Sequence, residues 1–172
     1  MADGAGAFPM NIFDPAAEPR SFRDALGCYA TGVTVVTCQT SDGPLAMTAN
    51  SFASVSLDPP LVLWSPGKSS KRHGPFLAAR FFAIHVLRTD QSDTALRFAK
   101  DGTAFAGLDW HSNENGTPLL GDCLSRFDCS TSAQHDAGDH TIIVGRVIQA
   151  AQTVGQPLVF AQGNYGSFTS GS

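Results

Sequence analysis

Two short clusters carry the residues best suited to chemistry in this chain. The first is Thr48-Ala49-Asn50-Ser51. The second runs from Ser65 through Lys68-Ser69-Ser70-Lys71-Arg72. Small residues let a flat ring lie close to the backbone. Hydroxyls, amide N–H groups and a lysine suit a phosphate. Three cations in five residues stand out in a chain whose Lys and Arg total 11. At a helix start they would form an anion site aided by the helix dipole; on a solvated helix face they would bind nothing. Both readings fit those residues alone. Taken with Thr48 to Ser51, the pattern reads as a holder for both ends of a nucleotide-like cofactor. The double-proline turn Asp58-Pro59-Pro60 lies between the two clusters.

The usual catalytic patterns are missing. There is no G-x-S-x-G elbow, no phosphate-binding P-loop and no G-x-G-x-x-G fingerprint. The five histidines, His73, His85, His111, His135 and His140, form no H-x-x-x-H pair. His135, Asp136, Asp139 and His140 flank a turn, where solvation explains the polar residues as well as a metal would. No metal is therefore assigned. The formal net charge of −4 offers no global field for nucleic acid or an anionic membrane. No apolar run approaches the roughly 20 residues of a membrane-spanning helix. Nothing at the N-terminus reads as a secretory signal. Cys28, Cys38, Cys123 and Cys129 show no C-x-x-C spacing, so reduced thiols and a cytoplasmic setting are expected.

The elements that must position these clusters are mostly strands. With 17 Gly, 10 Pro and only 15% charged residues, the composition favours short strands and turns. Residues 1–18 read as a mobile arm, able to pack through Phe8, Ile12 or Phe13. Residues 19–168 read as one domain. Pro19 opens a short amphipathic helix to about residue 30, with Phe22, Leu26 and Tyr29 on its apolar side as a lid over the core. Strands are expected at 32–38, 45–48, 51–57 and 61–65. Four β segments so close together suggest a barrel or sandwich. Ser69 or Ser70 would cap a helix running to about Ala79. Phe81 to Leu87 is a strand interrupted by His85. A helix from Asp90 or Ser92 would bury Ala95, Leu96, Phe98 and Ala99. Residues 101–118 read as a long irregular segment carrying Phe105, Trp110 and His111, of a length usually tied to function or an interface. A strand or strand pair follows over 119–134. The longest β run spans 140–154, with Gly145 marking a bulge or bend. Leu158-Val159-Phe160 is a last short strand.

Several strings together resemble the flavin reductase-like, FMN-binding split-barrel family. They are Ala30 to Thr37, Met47 to Phe52 and Ser54 to Leu63. Phe105, Gly107 and Trp110 match as well, then Gly138-Asp139-His140 through Gly145, and Gly163-Asn164-Tyr165. The resemblance spans about Phe22 to Tyr165. It implies a mainly β, Greek-key-like split barrel with a few short flanking helices. It implies an NAD(P)H:flavin oxidoreductase that takes FAD or FMN and NADH or NADPH. Reduced flavin would diffuse to a separate flavin-dependent monooxygenase, and the reductase would be a homodimer. Thr48, Ala49, Asn50 and Ser51 would line the flavin ring. Ser65, Lys68, Ser69 and Ser70 would hold the phosphate, and Thr31 and Tyr165 would border the same site. His140 would lie on the nicotinamide side. His85 stands where the family usually has asparagine; it is either a cofactor contact or a buried structural histidine. A non-catalytic flavin-binding module on the same barrel would keep Thr48 to Ser70 and not need His140 or Tyr165.

Overall fold

The stretch Val33 to Cys38 is β-branched at all but its last residue and is buried on both faces. In a computed structural model describing residues 9–171, it lies one strand in from an edge of a seven-stranded sheet. Successive strand side chains point to opposite faces. Val36 and Cys38 therefore enter a core with Trp64, Phe82 and Ile143. Val35 enters a second core with Phe98, Phe105 and Leu158.

The elements in chain order are α1 (Pro19–Gly27), β1 (Thr31–Gly32), β2 (Thr34–Thr40), β3 (Gly43–Ala49), β4 (Ala53–Leu57), β5 (Pro60–Trp64) and α2 (His73–Ala78). They continue with β6 (Phe81–Val86), a single 3-10 turn (Thr89–Gln91), α3 (Ser92–Lys100), β7 (Trp110–Ser112), β8 (Pro118–Leu120), β9 (Ser125–Ala137), β10 (His140–Gln152), β11 (Leu158–Ala161) and β12 (Asn164–Ser167). The large sheet runs β3-β2-β6-β9-β10-β5-β4, antiparallel at every step. β3 and β4 are consecutive in sequence yet form its two edges. The barrel is thus split: no backbone ladder joins them. A small sheet, β1-β11-β12, and the hairpin β7-β8 complete the fold.

Gly145 does mark an irregularity. The β9–β10 register shifts between Val144 and Gly145. A Cβ at Gly145 would lie 2.5 Å from Phe82 Cζ, so a side chain there would collide with the core.

Several expectations need correction. Helix α1 buries none of its residues, and Phe22, Leu26 and Tyr29 are exposed; it is not a lid on this core. Phe8 lies outside the described residues, Ile12 is exposed, and Phe13 is half-buried. Helix α2 starts at His73, because Ser70 and His73 close three-residue turns, with N–H groups donating to the carbonyls of Gly67 and Ser70, and the first helical bond runs from Phe76 to Arg72. In α3, Ala95 and Phe98 are buried but Leu96 and Ala99 are exposed. The segment 101–118 is not structureless. Phe105 packs on Phe98 at 5.0 Å and on Trp110 at 5.2 Å between ring centroids, and Trp110 pairs with Leu120. The four cysteines are free, and burial pushes the thiols of Cys38 and Cys129 up to about 12. Among the described residues no helix is long and apolar enough to cross a membrane.

Candidate cofactor site

The chain leaves β3 at one sheet edge and must cross to β4 at the other. Asn50, Ser51 and Phe52 make that crossing. Ser51 secures it: its Oγ accepts the Ser65 N–H at 2.9 Å and donates to the Ser65 carbonyl at 3.2 Å. Phe52 stacks on Phe127 of β9, with ring centroids 5.5 Å apart. The two clusters of small and hydroxyl residues therefore meet at the ends of β3 and β5.

Beyond Ser65 the loop runs along the start of β10. The Thr141 N–H donates to the Pro66 carbonyl at 3.2 Å, and the Lys68 N–H donates to the Asp139 carbonyl at 2.8 Å. Gly67 faces His140 across this bridge. Ser69 is exposed, while the Ser70 hydroxyl accepts the Arg72 N–H at 3.2 Å. The loop that carries Ser65, Lys68, Ser69 and Ser70 thus runs past His140, which faces Gly67. His140 is held by Asp139, with Nδ1 2.7 Å from the carboxylate. That pairing holds the Asp139 carboxyl below its usual range. An ionised carboxylate only accepts, so the imidazole carries its proton on Nδ1, and Nε2 lies toward Gly67.

At the other end, Thr48, Ala49 and Asn50 line a cleft of about 210 Å³ with Val33, Ala99, Phe160 and Tyr165. The Thr48 hydroxyl donates to the Ala95 carbonyl at 2.7 Å, and Thr34 donates to the Ala49 carbonyl at 2.7 Å. These bonds fix the end of β3 against α3 and β2. Tyr165 packs on Phe160 at 5.4 Å, and partial burial raises its phenol above the ordinary range. Thr31, in register with Phe160, has a buried Oγ1 with no partner. A buried hydroxyl without a partner is costly, and a ligand with polar edges would satisfy it. The arrangement fits a planar polar ring: small residues on one side, aromatics on another, and an unsatisfied hydroxyl near by.

Two residues leave the set expected from the sequence. His85 is fully buried, and both ring nitrogens are used by backbone. Nδ1 donates to the Val35 carbonyl at 3.0 Å, and Nε2 accepts the Leu120 N–H at 3.1 Å. No ring atom is left for a cofactor, so His85 is a structural histidine. Arg72 is also spoken for. Its guanidinium donates to the carbonyls of Ala46 at 3.1 Å, Phe98 at 2.5 Å and Ala99 at 2.9 Å. It ties the end of α3 to β3 and is not part of the cation cluster. Sequence reasoning missed Phe160, which lines the cleft. The signal was its five-residue spacing to Tyr165 across the turn at Gln162-Gly163, which sets both rings on one side of a hairpin.

The flavin reductase like domain matches residues 26–169. The NADH-dependent FMN reductase SmoA of Agrobacterium fabrum is 57% identical over 160 residues, spanning 92% of each chain. The HsaB reductase subunit of a flavin-dependent monooxygenase from Mycobacterium tuberculosis is 38% identical over 152 residues, covering 86% of this chain and 81% of that one. A solved NADH:FAD oxidoreductase of Streptomyces globisporus superposes with a TM-score of 0.89 at 36% identity, covering 98% of both chains. The same protein in complex with NAD and FAD fragments superposes at 0.86, with 37% identity, covering 93% of this chain and 98% of that one.

Proposed function

The chain belongs to the flavin reductase like domain family, and we propose on that premise that it is an NADH-dependent flavin reductase. It takes FMN or FAD and supplies the reduced flavin to a separate flavin-dependent monooxygenase, as the family's reductase subunits do. The observation that carries this reading is the meeting of Thr48, Ala49 and Asn50 with Phe160 and Tyr165 around one cleft, joined through Ser51 and Ser65 to a cationic loop.

When bound, flavin supplies the acceptor for a hydride delivered by NADH, so the hard chemistry belongs to the cofactors. The protein supplies position and electrostatics. Ala49 leaves room for a ring to lie against the β3 backbone. Amide groups around Asn50 and Ser51 are fixed by the Ser51–Ser65 bonds, so they stabilise developing negative charge without reorganising. Lys68 and the hydroxyls of Ser69 and Ser70 anchor the phosphate, remote from the reacting atoms. His140, oriented by Asp139, presents Nε2 on the nicotinamide side, and Tyr165 closes the cleft. No nucleophile is required, which accounts for the missing catalytic triads.

A homodimer accompanies this reading. Edge strand β4 leaves Val55 and Leu57 exposed, Leu57 at 96%, α1 exposes Phe22 and Leu26, and Tyr29 just beyond it is exposed as well. Apolar faces of that kind suit a second copy of the chain. Four free cysteines support a cytoplasmic setting. The test follows the nicotinamide absorbance of NADH mixed with purified protein, with and without added FMN or FAD. Flavin-dependent NADH oxidation supports the reading; flavin binding without such oxidation overturns it.

A further inference from the structure

Lys68 is the one loop residue here with both a charge for a phosphate and an anionic partner already in place. Its Nζ forms an ion pair with the Asp136 carboxylate and donates to the Gly138 carbonyl at 2.6 Å. Asp136 lies at the end of β9 and Gly138 in the tight connection to β10, where it adopts a φ of 65°. Asp139 is close enough for its carboxylate to feel the Lys68 charge, but its own hydrogen bond goes to His140. One cation thus stands between two carboxylates. A phosphate arriving at Lys68 must share its ammonium with Asp136 or displace it, and in either case remains near two like charges.

We propose that Asp136 sets the balance between FMN and FAD at this site by competing with the flavin phosphate for Lys68. This rests on the flavin reductase reading above. The chemical difference between the two ligands gives the selectivity. The phosphate of FMN is a monoester, carrying close to two negative charges at neutral pH. In FAD the corresponding phosphate is esterified again and carries one, the second charge lying on the neighbouring phosphate, further from the flavin. Riboflavin has none. Repulsion falls with distance, so Asp136 disfavours FMN, which concentrates both charges at Lys68, more than FAD, which moves one of them away. The Lys68–Asp136 pair is itself weak, because the Asp136 side chain is 79% exposed. Displacement is therefore easy, and the selectivity is graded. Retained carboxylates also keep the phosphate grip loose, which suits a protein that must release its product.

The experiment measures dissociation constants for riboflavin, FMN and FAD by quenching of flavin fluorescence at low ionic strength, for the wild-type chain and Asp136→Asn. Removing one carboxylate should tighten FMN about three- to fivefold and FAD by less, with riboflavin unchanged. Added salt should shrink the FMN effect. Asp136→Ser should behave as Asp136→Asn does, and thermal melts show that each variant is folded. In a Lys68→Met background Asp136→Asn should have no effect, because the competition needs the lysine. An unchanged FMN-to-FAD ratio in Asp136→Asn, an equal change for riboflavin, or a full effect without Lys68 overturns the proposal. If the wild-type protein binds none of the three flavins, the flavin reductase reading falls and this inference falls with it.

Discussion

Replacing His85 by asparagine should remove most of the protein's sensitivity to mild acid. In the native state the imidazole is fully buried and neutral, with Nδ1 donating to Val35 and Nε2 accepting from Leu120. Protonation would put a second N–H against the Leu120 amide, leaving two donors facing each other. Burial is the main reason its pKa falls from 6.5 to about 4; the Val35 bond opposes that fall, and the charge of Arg126 adds to it. The unfolded chain takes up a proton near 6.5, whereas the folded chain resists it until about 4. The His85 contribution is therefore complete above the unfolded value and is lost as pH falls from 6.5 towards 4. That interval corresponds to about 3 kcal/mol of unfolding free energy. Asparagine cannot titrate, but it spans only one of the two backbone partners, so the variant should already be less stable by about 1–2 kcal/mol at neutral pH. Urea unfolding of both proteins at several pH values between about 7 and 4 decides the matter, because carboxylate contributions cancel in the difference. The wild-type curve should fall toward that of the variant as pH decreases. Parallel curves would refute the assignment of a buried neutral histidine.

Further outcomes follow from the same geometry. Gly145→Ala should destabilise by about 1–3 kcal/mol in urea unfolding, because its Cβ would meet Phe82 and Cys129. Arg72→Met should lower stability by about 1–3 kcal/mol through the lost carbonyl bonds while leaving FMN affinity unchanged, checked by unfolding and fluorescence titration together. His140→Ala should raise the KM for NADH about tenfold, the equivalent of one hydrogen bond, with little change in the dissociation constant for flavin.

How much of this could be read beforehand varies with the residue. The strand around Val33 to Cys38 announced itself because nearly every residue in it is β-branched, a side-chain type that packs well in a buried strand. Gly145 was legible because an interior glycine in a long strand needs a reason, and Phe82 supplies it. Ser51 and Ser65 stood out as polar residues in apolar surroundings, although their mutual bonding was not visible. Helix α1 misled because periodicity marks an apolar face without saying what covers it. Arg72 misled because sequence proximity to Lys68 says nothing of direction: one helical start turns its guanidinium toward α3, while Lys68 points to the β9–β10 turn. His85 was ambiguous because a buried imidazole and a ligand-contacting one occupy identical strand positions. The Asp136 contact joins residues 68 positions apart, and no local pattern encodes such a pairing.

The most direct test of the flavin reductase assignment is an anaerobic titration of oxidised FMN with NADH in the presence of catalytic protein, following the visible flavin absorbance. The flavin band should bleach in proportion to the NADH added, and His140→Ala should slow the bleaching without abolishing flavin binding. Flavin that stays oxidised while demonstrably bound would contradict the account and leave only a binding module.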